Sequence, residues 1–158
     1  IDREMPPMVY NEPMSDDKAH VSDDDKALII SHTRGCYPEV QGIYLFGYFG
    51  MADEWSDSDV DLALLLPPDQ AEPAHPLALS DLSLNLTVAL GRDVDLLNAR
   101  LASTVFQKAI IFGELIYCAD RHAVDEFEML TLSYYQKLNE ERAEIVAELQ
   151  RTGRAHSS

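Results

Sequence analysis

"GYFGMADEWSDSDVDLALLL", Gly47 to Leu66, opens on a glycine, crosses a polar stretch and enters an apolar run headed by two aspartates one residue apart. The preceding "GIYLF", Gly42 to Phe46, is a short apolar run bounded by glycines, which predicts a buried strand. "DVDLALLL", Asp59 to Leu66, predicts a second strand, stopped by Pro67 and Pro68. Strand side chains alternate between faces, so Asp59 and Asp61 point one way and Val60 the other. Two carboxylates on one face of a half-buried strand repel each other. Water at a strand end or a cation must offset that, and hard divalent cations such as Mg²⁺ take carboxylate oxygens together with substrate phosphates. Asp95, in "RDVDLL", is placed to add a third carboxylate from a neighbouring strand, with Asp93 two residues earlier as its rival. In such sites metal ions clamp the attacking and leaving oxygens of an in-line displacement, and the carboxylate nearest an incoming hydroxyl can take its proton.

Outward from these strands the chain alternates helix and strand signals. Ser22 with Asp25 resembles a capping box with Asp in place of Glu. Leu28, Ile29 and His32 continue a short helix that Gly35 ends, with Pro38 beyond it. Residues 67–76 hold four prolines and read as a loop. Leu79, Leu82, Leu86 and Leu90 mark one face of a helix closed by Gly91. "DVDLLN", Asp93 to Asn98, predicts a third strand. Leu101, Val105 and Ala109 predict the stripe of a helix closed by Gly113, and "ELIYC" predicts a short fourth strand. A long helix follows from about 121 to 150, with Phe127, Leu130, Tyr134, Leu138, Ile145 and Leu149 on one broad face. The order predicts a single α/β (α+β) domain over 22–150: a mixed sheet of about four strands with helices packed on it and a long C-terminal helix. Residues 1–21 are expected to be a flexible arm, in part an addition to the natural chain, with Met14 as an alternative start; residues 151–158 are expected to be a polar tail.

The chain has 158 residues, enough for one core, with 28 acidic residues against 12 basic ones and a net charge of −16. Direct nucleic-acid binding needs a Lys/Arg surface and is not expected. A basic protein partner, or a metal that offsets local negative charge, suits this balance better. Cys36 and Cys118 lie far apart with no CxxC spacing, and the five histidines lack ligand spacing, so neither a disulfide scaffold nor a zinc site is expected. No apolar run reaches membrane-spanning length. The expected location is the cytoplasm.

The turn between the first two strands adds an anion-binding position. Gly47 lets the backbone approach a ligand, Gly50 keeps the loop open, and the amides after Gly47 can donate to phosphate oxygens. Alone, an Asp-x-Asp pair is more often a solvated strand end, and a glycine after a strand is weaker still. The weight lies in the combination: strand, Gly47 and Tyr48, ten residues from Phe49 to Ser58, Asp59-Val60-Asp61, then a third aspartate opening another apolar run.

That combination resembles the minimal nucleotidyltransferases of the DNA polymerase β-like superfamily, whose motif is Gly-Ser, ten residues, Asp-x-Asp. "IYLF", "SDSD" and "DVDLLNA" look like the same family. "STVFQKAIIFGELIYCAD" before a long helix is similar to the MntA-type antitoxins, which pair with HEPN-domain RNase toxins of the HepT type. The resemblance covers roughly residues 23–150. It implies Asp59, Asp61 and Asp95 as catalytic and Mg²⁺-binding carboxylates, Gly47 and Tyr48 at the nucleotide, and ATP as donor. It also implies a tyrosine of the toxin as acceptor, with the RNase silenced by adenylylation within a hetero-oligomer.

Tyr48 departs from the motif, since it keeps the backbone N–H but puts a ring where the family has a serine hydroxyl. Loss of one such hydrogen bond costs roughly 1–3 kcal/mol, on the order of ten- to hundredfold in rate. Two alternatives therefore stand beside an active adenylyltransferase: a binding-only antitoxin, and a nucleotidyltransferase acting on a small hydroxyl compound of the aminoglycoside type. The long last helix is expected to pack mainly on its own sheet. Its distal part, Ile145 to Leu149, is a candidate surface for a partner helix or a second copy, with Met129, Leu132 and Tyr135 as a second flank. Trp55, in the loop before Asp59, is assigned neither to adenine stacking nor to the partner.

Overall fold

The computed structural model describes residues 21–47, 60–70 and 76–157. Among these residues four α-helices and four strands follow one another as helix α1 (Asp23–Cys36), strands β1 (Gly42–Phe46) and β2 (Val60–Leu65), helix α2 (Pro76–Leu90), strand β3 (Val94–Asn98), helix α3 (Thr104–Ile111), strand β4 (Glu114–Cys118) and helix α4 (Arg121–Ser157). This is the order the sequence predicts. The strands form one mixed sheet in the order β3-β2-β1-β4. β1 pairs antiparallel with β2 and with β4, whereas β2 and β3 run parallel. A parallel pair needs a crossover, and α2 supplies it.

Both faces of the sheet are covered, which explains why all six residues of β2 are buried. On one face Ile43, Val60, Leu62, Leu64, Val94 and Leu96 meet Ile29 of α1 and Leu82 and Leu86 of α2. On the other, Tyr44, Phe46, Ala63 and Leu65 meet Ile110 of α3 and Val124 and Phe127 of α4. Burying each Leu, Ile or Phe side chain contributes about 1.5–3 kcal/mol. Val21, counted with the arm from sequence, is buried in the first cluster.

Local signals set most helix ends. The Ser22 side chain accepts from the Asp25 N–H at 3.1 Å, so the predicted N-cap forms. α2 ends at Gly91, whose φ of +72° is the left-handed conformation that glycine adopts without strain. α3 departs from the predicted stripe. Residues Ala99–Leu101 form a separate 3-10 turn, and Ser103 then caps a fresh helix through the Phe106 N–H. That shifts the phase, so Ile110 is buried and Phe106 packs beside it, while Leu101 and Val105 are exposed.

α4 departs from its predicted face too. The buried seam is Ala123, Val124, Phe127 and Thr131, whereas Leu130, Tyr134, Ile145 and Leu149 are exposed. The helix also runs past 150 and takes in residues set apart as a polar tail. Glu148 pairs with Arg151, and the Thr152 hydroxyl donates to the Glu148 carbonyl at 2.6 Å, which carries the helix on. Gly153 costs about 1 kcal/mol as an interior helix residue and does not stop it.

Candidate active site

β1 ends at the edge of the sheet where β2 and β3 begin. The Cα registers put Phe46 opposite Asp61 and Asp61 opposite Asp95. Register partners in adjacent strands send their side chains to the same face. The two carboxylates therefore stand side by side, on the face that carries α3 and α4. Val60 packs into the opposite cluster, as alternation predicts. Asp61 is 7% exposed, whereas Asp95 is open to solvent, so one carboxylate is sunk and its neighbour is accessible.

Of the rival aspartates, Asp95 is the one in register with Asp61. Asp93 precedes β3, and its carbonyl accepts from the Val60 N–H at 3.1 Å, tying the two strand starts together through backbone. Gly47 follows β1 directly, at the same edge, and is half-buried. Asp59 and Tyr48 lie outside the described residues, as do Gly50 and Trp55.

Several groups that the sequence did not single out hold this edge in place. Gly113, read as a helix stop, has a steric task as well. A Cβ there would stand 2.6 Å from the Leu45 carbonyl oxygen and 2.8 Å from the Phe46 Cβ, so only glycine lets the turn between α3 and β4 lie on the end of β1. Phe46 meets Phe106 of α3 edge-on at 6.4 Å. Lower on β1, the buried Tyr44 hydroxyl donates to Glu128 of α4 at 2.7 Å. Burial, reinforced by that carboxylate, pushes the hydroxyl's pKa well above its ordinary value. Between the helices, the Lys108 ammonium lies 4.4 Å from the ring centre of Tyr135 and 5.2 Å from that of Phe112, pinning α3 to α4.

The chemistry open to this edge follows from its donors. Two adjacent carboxylates, one largely removed from water, form an all-oxygen set that a hard divalent cation fits, and burial of such a charge is costly without compensation. Gly47 beside them has no side chain, so its own backbone can come close to an anionic group. A divalent cation and a polyphosphate together match both halves of the edge.

Comparison with known proteins gives the family. Residues 29–122 match the family model of the polymerase β nucleotidyltransferases. The protein adenylyltransferase MntA of Shewanella oneidensis is 36% identical over 120 residues, covering 75% of this chain and 82% of that protein. In the solved structures, the fold resembles a tri-AMPylated Shewanella oneidensis HEPN toxin in complex with its MNT antitoxin, with a TM-score of 0.62 and 31% identity over 80% of this chain and 96% of the other. It also resembles a toxin–antitoxin structure with AMP-PNP, with a TM-score of 0.60 and 32% identity over 79% and 98% of the two chains.

Proposed function

This chain belongs to the polymerase β nucleotidyltransferase family, alongside the MntA protein adenylyltransferases, and from that premise we propose that it transfers AMP from ATP to a tyrosine of a HEPN RNase toxin and so serves as that toxin's antitoxin. The observation that carries the proposal is the pairing of Asp61 with Asp95 at the sheet edge that receives the Gly47 turn. In this reading Asp59, Asp61 and Asp95 hold Mg²⁺, and Gly47 and Tyr48 meet the donor's phosphates. When bound, the cation supplies neutralisation of phosphate charge and alignment for in-line displacement.

The chain's own groups do the rest. The Gly47 turn admits the triphosphate against backbone amides. Asp61, sunk beside Phe46, is held in one position by the strands on either side. Asp95, open to solvent, faces an incoming hydroxyl and takes its proton as the tyrosine oxygen bonds to the α-phosphorus and the bond to pyrophosphate breaks. A net charge of −16 favours a basic protein acceptor over nucleic acid. The two free cysteines fit a reducing cytoplasm, and among the described residues no helix is long and apolar enough to cross a membrane.

Tyr48 favours a second reading, a binding-only antitoxin, because the motif's serine hydroxyl is missing. The test is intact-mass measurement of the HEPN toxin from the same genome after incubation with this chain, ATP and Mg²⁺. Gains of AMP units are expected, with Tyr48→Ser raising the rate roughly ten- to hundredfold. A stable complex with unchanged masses would establish the binding-only reading. AMP on an added aminoglycoside instead of the toxin would replace both with a small-molecule enzyme.

A further inference from the structure

Asp61 and Asp95 are held differently. β2 lies between β1 and β3, so the backbone of Asp61 is flanked on both sides. Among the described residues β3 is an outer strand, with β2 as its one neighbour. In a parallel pair a residue turns its N–H and C=O to the same side, and successive residues turn to opposite sides. The Asp93 carbonyl accepts from the Val60 N–H at 3.1 Å, so Asp93 faces β2. Val94, next in line, turns its polar groups off the sheet. An outer strand commonly leaves such groups to water or to another chain.

At Val94 the helix takes them. The Ser83 hydroxyl of α2 donates to the Val94 carbonyl at 2.5 Å, and Thr87 Oγ1 accepts from the Val94 N–H at 3.1 Å. Both backbone groups of one residue are thus held by two side chains one turn apart on α2. Serine and threonine within a helix ordinarily return their hydroxyls to a carbonyl of the preceding turn; these two reach another element. Thr87 holds the near end of the connection as well, since its carbonyl accepts from the Gly91 N–H at 2.9 Å. Gly91, at φ +72°, turns the chain, and Val94 brings it back to the same threonine. The step from α2 to β3 is therefore tied at both ends to one residue. The Val94 side chain is buried in the cluster that holds Leu82 and Leu86 of α2. Asp95 follows directly and is exposed, so the direction of its carboxylate is set by the backbone that carries it.

We infer that Ser83 and Thr87 are positioning residues for Asp95: standing in for the strand that β3 lacks, they fix the peptide groups of Val94 and with them the place of the Asp95 carboxylate beside Asp61. The same two bonds hold the register in which Asp95, and not Asp93, meets Asp61. This deepens the AMP-transfer reading and rests on Asp95 belonging to its cation site. It adds that α2, on the far face of the sheet from both carboxylates, takes part in the chemistry through backbone alone.

The test compares Thr87→Val, which keeps the shape and removes the acceptor, with Thr87→Ser, which keeps the hydroxyl. Ser83→Ala removes the second bond. Ser22→Ala, which removes the N-cap of α1, is the control for lost stability alone. Every variant is assayed where its urea curve shows it folded. With the purified HEPN toxin, ATP and Mg²⁺, Thr87→Val and Ser83→Ala are each expected to lower kcat roughly ten- to hundredfold. The KM values for ATP and toxin stay within about twofold of the parent, as does kcat in Thr87→Ser and Ser22→Ala. A separate Mn²⁺ titration without ATP or toxin, read by loss of the free ion's EPR signal, is expected to give a Kd about tenfold weaker in Thr87→Val. Where the parent transfers AMP, the transfer assay decides. An unchanged kcat in Thr87→Val then overturns the positioning role and leaves the transfer standing. An equal loss in Thr87→Ser or Ser22→Ala ties the effect to shape or stability and overturns it too. Where the parent transfers no AMP, that reading falls and the titration decides. A Kd weakened in Thr87→Val and kept in Thr87→Ser upholds the positioning of Asp95. An unchanged Kd, or a parent that takes up no Mn²⁺, overturns both proposals.

Discussion

The two ends of the four-stranded sheet are finished in opposite ways. Where β2 and β3 stop, the chain satisfies its own polar groups. Arg100 donates through Nε to the Leu66 carbonyl at 2.5 Å and through Nη2 to Gln41 Oε1 at 2.7 Å, and the Gln41 carbonyl accepts from the Ala119 N–H at 2.9 Å. One cation clasps the starts and stops of three strands. At the other end Asp61 and Asp95, each the second residue of its strand, stand side by side in register, and two like charges are gathered. The contrast separates two uses of buried polarity. The clasp end stabilises the fold. The acidic end gathers like charge where the proposed transfer would need a cation, the trade expected of a functional site.

The strongest way to break this comparison is Asp61→Asn. The isosteric amide removes one of two adjacent like charges from a largely buried position. AMP transfer to the toxin should fall by about 10²–10³-fold, the scale on which single preorganised electrostatic groups act. Stability to urea should change by no more than about 1 kcal/mol. Transfer is read by intact mass and stability by chemical unfolding. A variant that loses stability while keeping its transfer rate would place Asp61 with the structural residues and erase the contrast.

Arg100→Ala is the mirror experiment. It leaves the Leu66 carbonyl and the Gln41 side chain without the guanidinium. Burial lowers the pKa of Arg100, yet the group stays cationic at any ordinary pH, so the loss is that of two charge-assisted hydrogen bonds. A cost of about 2–3 kcal/mol in urea unfolding is expected, with the KM for ATP unchanged. A fall in transfer rate matching that of Asp61→Asn would show that the two ends are not independent.

The two ends were unequally legible in the sequence. The acidic end was read from local pattern: an Asp-x-Asp heading an apolar run forces two carboxylates onto one face, and "DVDLL" offers a partner strand. Strand period alone carries that inference. The clasp was invisible, because Arg100 and Gln41 are 59 positions apart and meet only through the crossover of β2 to β3. The same limit explains the helices. α2 has a single stripe and a glycine stop, and it follows prediction. The packed stripe of α3 was missed because a 3-10 turn before Ser103 resets its phase. For α4 the periodicity was right over its length, but which stripe met the sheet depended on where β1 and α3 lie. Leu130 and Tyr134 flank the buried Phe127 and Thr131 by small angles that sequence does not resolve.

Tyr44 lies between the two ends, and its effect is the smallest and the most pH-specific. Its hydroxyl donates to Glu128 and so fastens α4 to β1. Tyr44→Phe keeps the ring that meets Phe127 and removes one hydrogen bond, a cost of about 1 kcal/mol at pH 8. Because burial and the neighbouring carboxylate raise the pKa of this hydroxyl above the ordinary 10.0, the folded state holds its proton where the unfolded chain releases it. The stabilisation is fully present below about pH 10 and is lost as pH rises beyond it. Tyr37, whose pKa is also raised by burial, adds a loss in the same direction, but the difference between parent and variant isolates Tyr44. Urea unfolding from pH 8 to 11 should therefore show the parent's advantage shrinking above pH 10. A constant advantage across that range would mean that the hydroxyl ionises alike in both states and that α4 is held by packing alone. The link between the packed half of α4 and the strand leading to Gly47 would then need another polar anchor.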